Sequence, residues 1–223
     1  MGKLSYKTLR ENVVEAIRLK IMNQELMPGM RIIEQELSNE LGVSRGPIRE
    51  ALRQLEQEGM IEYTRNVGCS VKEVTLEDIY EIYLIRSHYE ILAVESYEGQ
   101  FTDEEIAKMD AVLEAMRTME EEDYEKVVYY DDMLHQIIVK KAGFGRLTKA
   151  WQDLSYGNYM SCYAGLGDRK AVTDRQYPIH KKVVDACRSR DVETIKQAIT
   201  DHYMLTIRRL LKEGHTGNES LEI

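Results

Sequence analysis

The chain has 223 residues, of which 43% are hydrophobic, and carries a formal net charge of −9, with 30 Lys and Arg against 39 Asp and Glu. This composition supplies enough apolar residues for a sizeable core and argues against intrinsic disorder. No apolar run reaches about 18 residues, the N-terminal stretch is charged throughout, and the three cysteines are scattered. We therefore expect a cytoplasmic protein without a signal peptide or a membrane span.

The net negative charge is confined to the second part of the chain. Residues 1–74 hold eleven basic and eleven acidic residues, whereas residues 75–223 hold 19 and 28. The first part also contains two of the three prolines and the only β-like alternation. A boundary near residue 74 therefore divides the chain into two predicted domains, and the acidic excess does not exclude nucleic acid as a partner of the first.

The first part predicts a winged helix-turn-helix. Leu9, Val13, Ile17 and Ile21 recur at four-residue spacing, which is typical of one buried helical stripe. The predicted elements are a helix over 5–24, a short helix from about Glu34 to Leu41, a third helix capped by Ser44, and two strands over 60–64 and 69–74. Two helices around a short turn, followed by a hairpin, are the hallmark of this DNA-binding fold.

The third predicted helix carries chemistry suited to DNA. Arg45 and Arg49 lie four residues apart at its N-terminal end, so they share the face that enters the major groove, where arginine bonds guanine. The alternative is a solvated face in which these arginines pair with Glu50 and Glu56. The predicted DNA-binding residues are Ser44, Arg45, Gly46, Arg49 and Arg53 of the helix, with Arg65 and Gly68 in the wing.

Residues 28–71, PGMRIIEQELSNELGVSRGPIREALRQLEQEGMIEYTRNVGCSV, resemble the DNA-binding domain of GntR-family bacterial transcription regulators without a gap. The resemblance implies a homodimer that binds a palindromic double-stranded DNA operator. It also implies that Arg45 and Arg49 contact bases or phosphates and that Gly68 lies in the wing. One departure is Gln35, where some members carry an arginine that touches DNA.

The second part predicts an all-α domain. Thr75 and Thr102 are each followed three residues later by an acidic residue, which is the form of a capping box before an apolar helical run. The predicted helices lie near residues 76–99, 103–119, 123–141, 144–163, 172–189 and 191–213. The predicted fold class is mainly α, with an N-terminal winged helix-turn-helix over 1–74 and a C-terminal all-α helical-bundle effector domain over 75–223.

Three histidines and one aspartate are spaced so that they can meet. Asp131 and His135 are four residues apart on one predicted helix and so share a face. His180 and His202 lie at similar distances before and after a turn predicted at residue 190, which places them at one height in an antiparallel hairpin. Such a set suits Zn²⁺, Ni²⁺ or a similar divalent ion. Surface or core histidines without a ligand are the alternative.

The second part also resembles the FCD domain, the helical ligand-binding domain of the FadR subfamily. The matching positions are Arg86 in YEIYLIRSHYE, Asp131 and His135 in DDMLHQIIVKKAG, His180 in YPIHKKVVDACRSRD, and His202 in TDHYMLTIRRL. The resemblance implies a divalent metal on the aspartate and the three histidines, and a small carboxylate effector that pairs with Arg86. An ordinary salt bridge between Arg86 and Glu90 is the alternative.

Together these features predict a transcriptional regulator rather than an enzyme, with an operator affinity that depends on a small carboxylate held near a divalent metal. Two alternatives stay open. The first is a hydrolase or lyase that activates water on the metal, although no dedicated general base is evident near the ligands in sequence. The second is a regulator for which the metal ion itself is the signal.

Overall fold

The chain folds as two compact units, Met1–Val74 and Thr75–Ile223. Its computed structural model describes residues 8–23, 25–65, 68–73, 75–159 and 168–213. The first unit combines helices with a small sheet, and the described part of the second is helical. The boundary between the units lies where the acidic excess of the sequence begins.

Three helices form the body of the first unit. They are α1 (Leu9–Met22), α2 (Glu34–Leu41) and α3 (Arg45–Gln57). Thr8 begins α1 through a capping box, in which its side chain accepts from the backbone N–H of Glu11 and the Glu11 carboxylate accepts from the N–H of Thr8. This cap starts the helix later than the predicted start at residue 5, and residues 5–7 lie outside the described part.

The core of the first unit lies between α1 and α3, where Val13, Ile17, Ile21 and Leu52 are buried. The four-residue pattern also predicts a buried Leu9, but this side chain is 53% exposed. Each four-residue step overshoots one helical turn by about 40°, so Leu9 lies about 120° around the helix from Ile21. The buried stripe therefore begins one turn later than the sequence pattern.

A three-stranded antiparallel sheet with the order β1-β3-β2 completes the first unit. Its strands are β1 (Arg31–Ile32), β2 (Ile61–Thr64) and β3 (Gly68–Val71). The β2–β3 hairpin confirms the predicted wing, although β3 ends at Val71 rather than at residue 74. β1 was not predicted, because two residues are too few to show a period of two.

Besides a helical stretch at residues 156–159, the described part of the second unit contains seven α-helices and one 3₁₀ segment. These are α4 (Leu76–Ser96), α5 (Asp103–Arg117), the 3₁₀ segment (Glu121–Lys126), α6 (Val127–Lys141), α7 (Gly145–Gln152), α8 (Arg169–Asp174), α9 (Gln176–Ser189) and α10 (Val192–Glu213). The capping boxes predicted at Thr75 and Thr102 are both formed. Arg190 ends α9 in the left-handed conformation (φ 57°), at the predicted turn.

The helix predicted over 172–189 is divided into α8 and α9 at Arg175. Pro178 lacks the backbone N–H that would bond the carbonyl of Asp174, so a continuous helix loses one of its hydrogen bonds at this point. Helix α8 has its own N-terminal cap, because the side chain of Asp168 accepts from the backbone N–H of Ala171. The break places Arg175 and Gln176 at the junction of two helices.

Two other predicted helices also differ in extent. The one predicted over 144–163 is interrupted after α7, which ends at Gln152, by turn residues 153–155. Residues 156–159 are helical again, and residues 160–163 lie outside the described part. The one predicted over 123–141 begins with the 3₁₀ segment before α6. These differences move helix ends but leave the all-helical character of this unit unchanged.

Helix α4 lies at the centre of the second unit and packs along α10, against α6 and against α7. Helix α9 packs between α5 and α10. The inward faces of α4, α6, α9 and α10 therefore meet, and they bring polar side chains into the interior. Among the described helices, none is long and apolar enough to cross a membrane.

Candidate functional site

Two arginines of α3 are exposed and share one carboxylate. The side chains of Arg45 and Arg49 are 50% and 52% exposed. Nη2 of Arg45 and Nε of Arg49 each donate to Oε2 of Glu34 at 2.8 Å. The hydrogen bond from Arg45 lowers the pKa of Glu34, so the carboxylate is charged at neutral pH. Both guanidinium groups are therefore positioned together at the start of the recognition helix, where the free backbone N–H groups also favour phosphate.

The remaining predicted DNA-binding residues lie in accessible positions. Ser44 occupies the cap position of α3, but its side chain makes no capping hydrogen bond. A Cβ on Gly46 would meet nothing within 4 Å, so the backbone is open to close approach. Gly68 has a φ of 103°, a conformation that strongly favours glycine at the start of β3. Arg53 and Arg65 are both exposed.

Sequence reasoning missed two residues of this surface. Glu34, rather than Glu50 or Glu56, is the partner of the two arginines of α3, and its separation of 11 and 15 residues from them gives no periodic signal. Arg31 of β1 is exposed, and its guanidinium lies within 3.6 to 4.0 Å of the position that a Cβ on Gly68 would take. Arg31 therefore adds a positive charge beside the wing.

Asp131, His135, His180 and His202 meet in the interior of the second unit. Each offers one potential ligand atom, and the four atoms lie within 4.8 Å of one another. The ring centroid of His202 lies 4.7 Å from those of His135 and His180. All three rings are buried. Helices α6, α9 and α10 thus bring together the four residues that the sequence singles out; we name them the histidine cluster.

The hydrogen bonds of the histidine cluster leave nitrogen and oxygen lone pairs facing one another in its interior. Nδ1 of His180 lies 2.8 Å from the carbonyl oxygen of Gln176 and must donate to it, so Nε2 of the neutral ring carries a lone pair. This Nε2 lies 2.9 Å from Oδ1 of Asp131, which is also an acceptor. Nδ1 of His135 likewise faces the carboxylate of Glu90 at 2.7 Å. The arrangement is repulsive unless a proton or a metal ion lies between the acceptors.

The separations within the histidine cluster suit a metal ion. Nε2 of His135 and Nε2 of His202 are 3.1 Å apart, and Asp131 is 2.9 Å from His180. Two ligand atoms with bonds of about 2.0–2.1 Å to one ion lie about 2.8–3.0 Å apart when the angle between the bonds is 90°, and about 3.3–3.4 Å apart when it is tetrahedral. Nδ1 of His202 has no hydrogen-bond partner among the described residues, so no such bond fixes its tautomer. Three imidazoles and one carboxylate are a donor set for a borderline ion such as Zn²⁺ or Ni²⁺.

A buried carboxylate that the sequence reading did not select supports His135. Oε1 of Glu90 accepts from Nε1 of Trp151 at 2.9 Å and from the hydroxyl of Tyr203 at 2.5 Å, while Oε2 faces His135. Glu90 is fully buried. A carboxylate behind a ligating histidine fixes its ring orientation and raises its basicity. The spacing of 45 residues between Glu90 and His135 gives no local signal for this contact.

The ionisation of the histidine cluster follows from its burial and its neighbours. Burial and the adjacent rings hold the pKa of His202 well below its ordinary value, so this imidazole is neutral at pH 7. For His135, burial lowers the pKa, but the carboxylates of Glu90 and Asp131 together outweigh burial and the pKa is raised. Burial opposes ionisation of Asp131, yet the adjacent His180 and the other nearby imidazoles lower its pKa overall.

Arg86, the predicted effector-binding residue, is fully buried next to the histidine cluster. It donates to Asp132 (3.1 Å), to the hydroxyl of Ser155 (3.1 Å) and to the hydroxyl of Tyr203 (3.3 Å). Its guanidinium carbon lies 4.1 Å from the ring centroid of Trp151. The acidic partner of Arg86 is therefore Asp132 and not Glu90. A carboxylate effector that reaches Arg86 would have to displace Asp132 or bind beside it.

A cavity of about 620 Å³ leads from the histidine cluster. Asp131 and His202 lie in its wall, as do the side chains of Asn158 and Gln176, while Arg86 does not. The amide of Asn158 donates to Oδ2 of Asp131 at 2.6 Å, which holds this carboxylate in place. The volume lies within the range of pockets for small organic ligands. We name this space the effector cavity.

Comparison with known proteins places both units in established families. The model of "Bacterial regulatory proteins, gntR family" matches residues 9–71, and the model of the FCD domain matches residues 81–204. The two matches cover the described winged helix-turn-helix and most of the helical unit, including the histidine cluster.

Individual relatives extend along most of the chain. The HTH-type transcriptional regulator YdhC of Bacillus subtilis is 28% identical over 89% of this chain and 90% of its own length. The gluconate operon transcriptional repressor of Bacillus licheniformis is 25% identical over 84% of this chain and 79% of its own. Among solved structures, Escherichia coli McbR/YncC superposes with a TM-score of 0.75 at 19% identity, covering 94% of this chain and all of that one.

These relatives are regulators of transcription, which removes the interpretation of the chain as a metal-dependent hydrolase or lyase. The exposed arginines of α3 and the wing fit that role. The protein is a transcriptional regulator, and it belongs to the gntR family of bacterial regulatory proteins, with an FCD domain following its winged helix-turn-helix.

Proposed function

We propose that this regulator binds a palindromic operator as a homodimer, and that a small carboxylate held beside a divalent metal changes its affinity for the operator. The metal, Zn²⁺ or Ni²⁺, is bound by the histidine cluster. The observation that carries the proposal is the convergence of acceptor atoms: Nε2 of His180 faces Oδ1 of Asp131 at 2.9 Å while its Nδ1 donates to a carbonyl.

A bound divalent ion would neutralise these acceptors and offer an open position to one carboxylate oxygen. The protein's own residues do the rest. Glu90 orients His135, Gln176 orients His180 through its carbonyl, and Asn158 holds Asp131. Such supporting hydrogen bonds are worth about 10- to 100-fold in metal affinity at comparable sites.

The effector cavity supplies space for the carboxylate, because its wall includes Asp131 and His202 of the histidine cluster. Asn158 and Gln176 add polar groups for the remainder of the ligand. Contact between the effector and Arg86 stays a prediction, and it requires Asp132 to move away from the guanidinium.

The proposed dimer explains how such a ligand acts on DNA. Two recognition helices that bind successive half-sites must be separated by about one turn of the duplex, roughly 34–36 Å. A ligand that binds more tightly to a dimer with a different helix separation lowers operator affinity. The loss equals the difference in ligand binding free energy between the two arrangements. A coupling of about 1–3 kcal/mol changes the affinity roughly 5- to 150-fold.

The experiment begins with selection of binding sequences from a random duplex library by the purified full-length protein. The affinity for the selected duplex is then measured by fluorescence anisotropy with zinc-loaded and chelator-treated protein, each with and without a panel of small carboxylic acids. We expect a two-fold symmetric duplex, one zinc ion per chain, and a change of at least about fivefold with an active acid only when zinc is bound.

Two outcomes contradict the proposal. An affinity that responds to zinc but to no acid in the panel makes the metal itself the signal. An affinity that responds to neither removes the regulatory role of the histidine cluster. Sedimentation of the protein with the selected duplex tests the dimer, since a single chain per duplex contradicts it.

A further inference from the structure

Arg31 is an exposed cation on one face of the small sheet in the first unit. It pairs with Ser70 of β3, and Ser70 pairs with Glu62 of β2, so these three side chains lie on the same face of the sheet. Ile32 and Cys69 form the next pair along the strands, and both are buried on the opposite face. The side chain of Arg31 therefore points away from the face that packs on the core.

The guanidinium of Arg31 extends along this face toward the end of the β2–β3 hairpin. Its Nε and Nη2 lie 3.6 Å from the position that a Cβ on Gly68 would take. Gly68 pairs with Thr64 where the two strands of the hairpin end, and it is the diagonal neighbour of Arg31 across the sheet. Because glycine has no side chain, the guanidinium can lie close to the backbone of the wing.

No direct contact neutralises the charge of Arg31. In the part of the chain that the structure describes, its guanidinium forms no ion pair. Glu62, the acidic residue on the same face, lies on the far side of β3, and its backbone is about 9–10 Å from that of Arg31 because two strand spacings separate them. The positive charge is therefore available to an anion outside the protein.

Arg31 lies between the wing and the arginine pair of α3. Glu34, whose carboxylate accepts from Arg45 and Arg49, follows Arg31 by three residues, which limits the distance between their Cα atoms to about 10–11 Å. In the predicted mode of binding, α3 lies in the major groove and the wing lies at the adjacent minor groove. One sugar–phosphate backbone then passes between helix and wing, because the backbones form the walls of both grooves.

We infer that Arg31 is a further DNA-binding residue, which contacts a phosphate of the backbone between the recognition helix and the wing. This inference rests on the proposed function for the operator itself. A phosphate contact fixes the position of the protein on the duplex but carries no base specificity. Arg31 therefore strengthens binding to the operator and to unrelated duplexes alike, unlike an arginine that contacts a base.

The test compares the wild type with Arg31→Gln by fluorescence anisotropy, on the selected duplex and on a random-sequence duplex of equal length, between about 50 and 200 mM salt. Each phosphate contact contributes about 0.9 to the slope of log affinity against log salt. We expect the slope of the variant to be shallower by about 0.9 on both duplexes, so its loss of affinity is about 3.5-fold greater at the lower salt concentration than at the higher one. Arg31→Lys is expected to keep the wild-type slope, because an ammonium also binds phosphate.

Arg146→Gln is the matched control, because it removes the same charge from an exposed position on α7 in the second unit. It is expected to keep the wild-type slope and affinity. Unchanged slope and affinity in Arg31→Gln overturn the inference and leave the proposed operator binding intact. A loss confined to the selected duplex also overturns it, since that result assigns a base contact. Wild-type protein that selects no duplex contradicts the proposed function and this inference together.

Discussion

Oε2 of Glu90 lies 2.7 Å from Nδ1 of His135, so a buried carboxylate of α4 fixes the ring of a histidine on α6. The other oxygen of Glu90 accepts from Trp151, the single tryptophan of the chain. The indole is thus two hydrogen bonds from the proposed metal. Any change at His135 alters the environment of a natural fluorophore.

Replacement of Glu90 by Gln is expected to weaken zinc binding about 10- to 100-fold, because one end of the amide cannot accept the hydrogen bonds that the carboxylate accepts. The affinity is measured by competition with a chelator and by the fluorescence of Trp151. Glu95→Gln is the control, since Glu95 lies on the same helix but is exposed and pairs with Lys196. Zinc affinity equal to that of the wild type in folded Glu90→Gln contradicts the positioning role.

Arg49→Ala is expected to reduce affinity for the selected operator about 5- to 150-fold, since a bidentate contact between an arginine and a base is worth about 1–3 kcal/mol. The melting temperature should change little, because the side chain is half exposed. Anisotropy titrations measure the loss. Arg146→Ala is the control, because it removes the same charge from the second unit. Unchanged operator affinity refutes the role of Arg49.

The double variant His180→Ala/His202→Ala is expected to lose the metal and the stabilisation that the metal provides. A ligand present at 100 times its dissociation constant stabilises the folded state by about 2.7 kcal/mol. Elemental analysis and melting temperature with and without zinc measure both effects. His88→Ala removes an exposed histidine of α4 and should keep both. Full metal occupancy in the double variant disproves the ligand set.

Arg86→Met is expected to cost about 3 kcal/mol of the free energy of unfolding of the second unit, because Asp132 loses its guanidinium partner in a largely buried position. Asp132→Asn introduced into this variant should recover part of the loss, since it removes the unpaired charge. Urea denaturation followed by Trp151 fluorescence measures both. Wild-type stability of Arg86→Met contradicts the stabilising role of its ion pair with Asp132.

Local signals predicted much of the fold. The capping boxes at Thr75 and Thr102 and the turn at Arg190 each depend on residues within one helical turn, so the sequence shows them directly. The exposure of Leu9 and the break at Pro178 depend on small angular and hydrogen-bond details that a simple apolar period does not contain. The strand β1 is too short for any pattern.

The residues of the candidate site likewise fall into those that local sequence patterns predict and those that only the structure reveals. Asp131 with His135, and His180 with His202, were found because helical periodicity and hairpin symmetry relate them. Glu90 and Trp151 were missed, because tertiary packing alone brings Glu90 to His135 across 45 residues and to Trp151 across 61. Arg86 was selected by resemblance, and only the structure reveals that its acidic partner is Asp132.

Under the proposed DNA-binding role of α3, the pairing of Arg45 and Arg49 with Glu34 affects how the protein searches a chromosome. In the free protein, the carboxylate of Glu34 accepts one hydrogen bond from each of these two guanidinium groups, which would otherwise attract any phosphate. Random DNA that displaces Glu34 gains only phosphate contacts with the two arginines. The operator gains base contacts as well. Glu34 is thus expected to raise the ratio of specific to non-specific binding, and this ratio governs occupancy when about 10⁶–10⁹ competing sites are present.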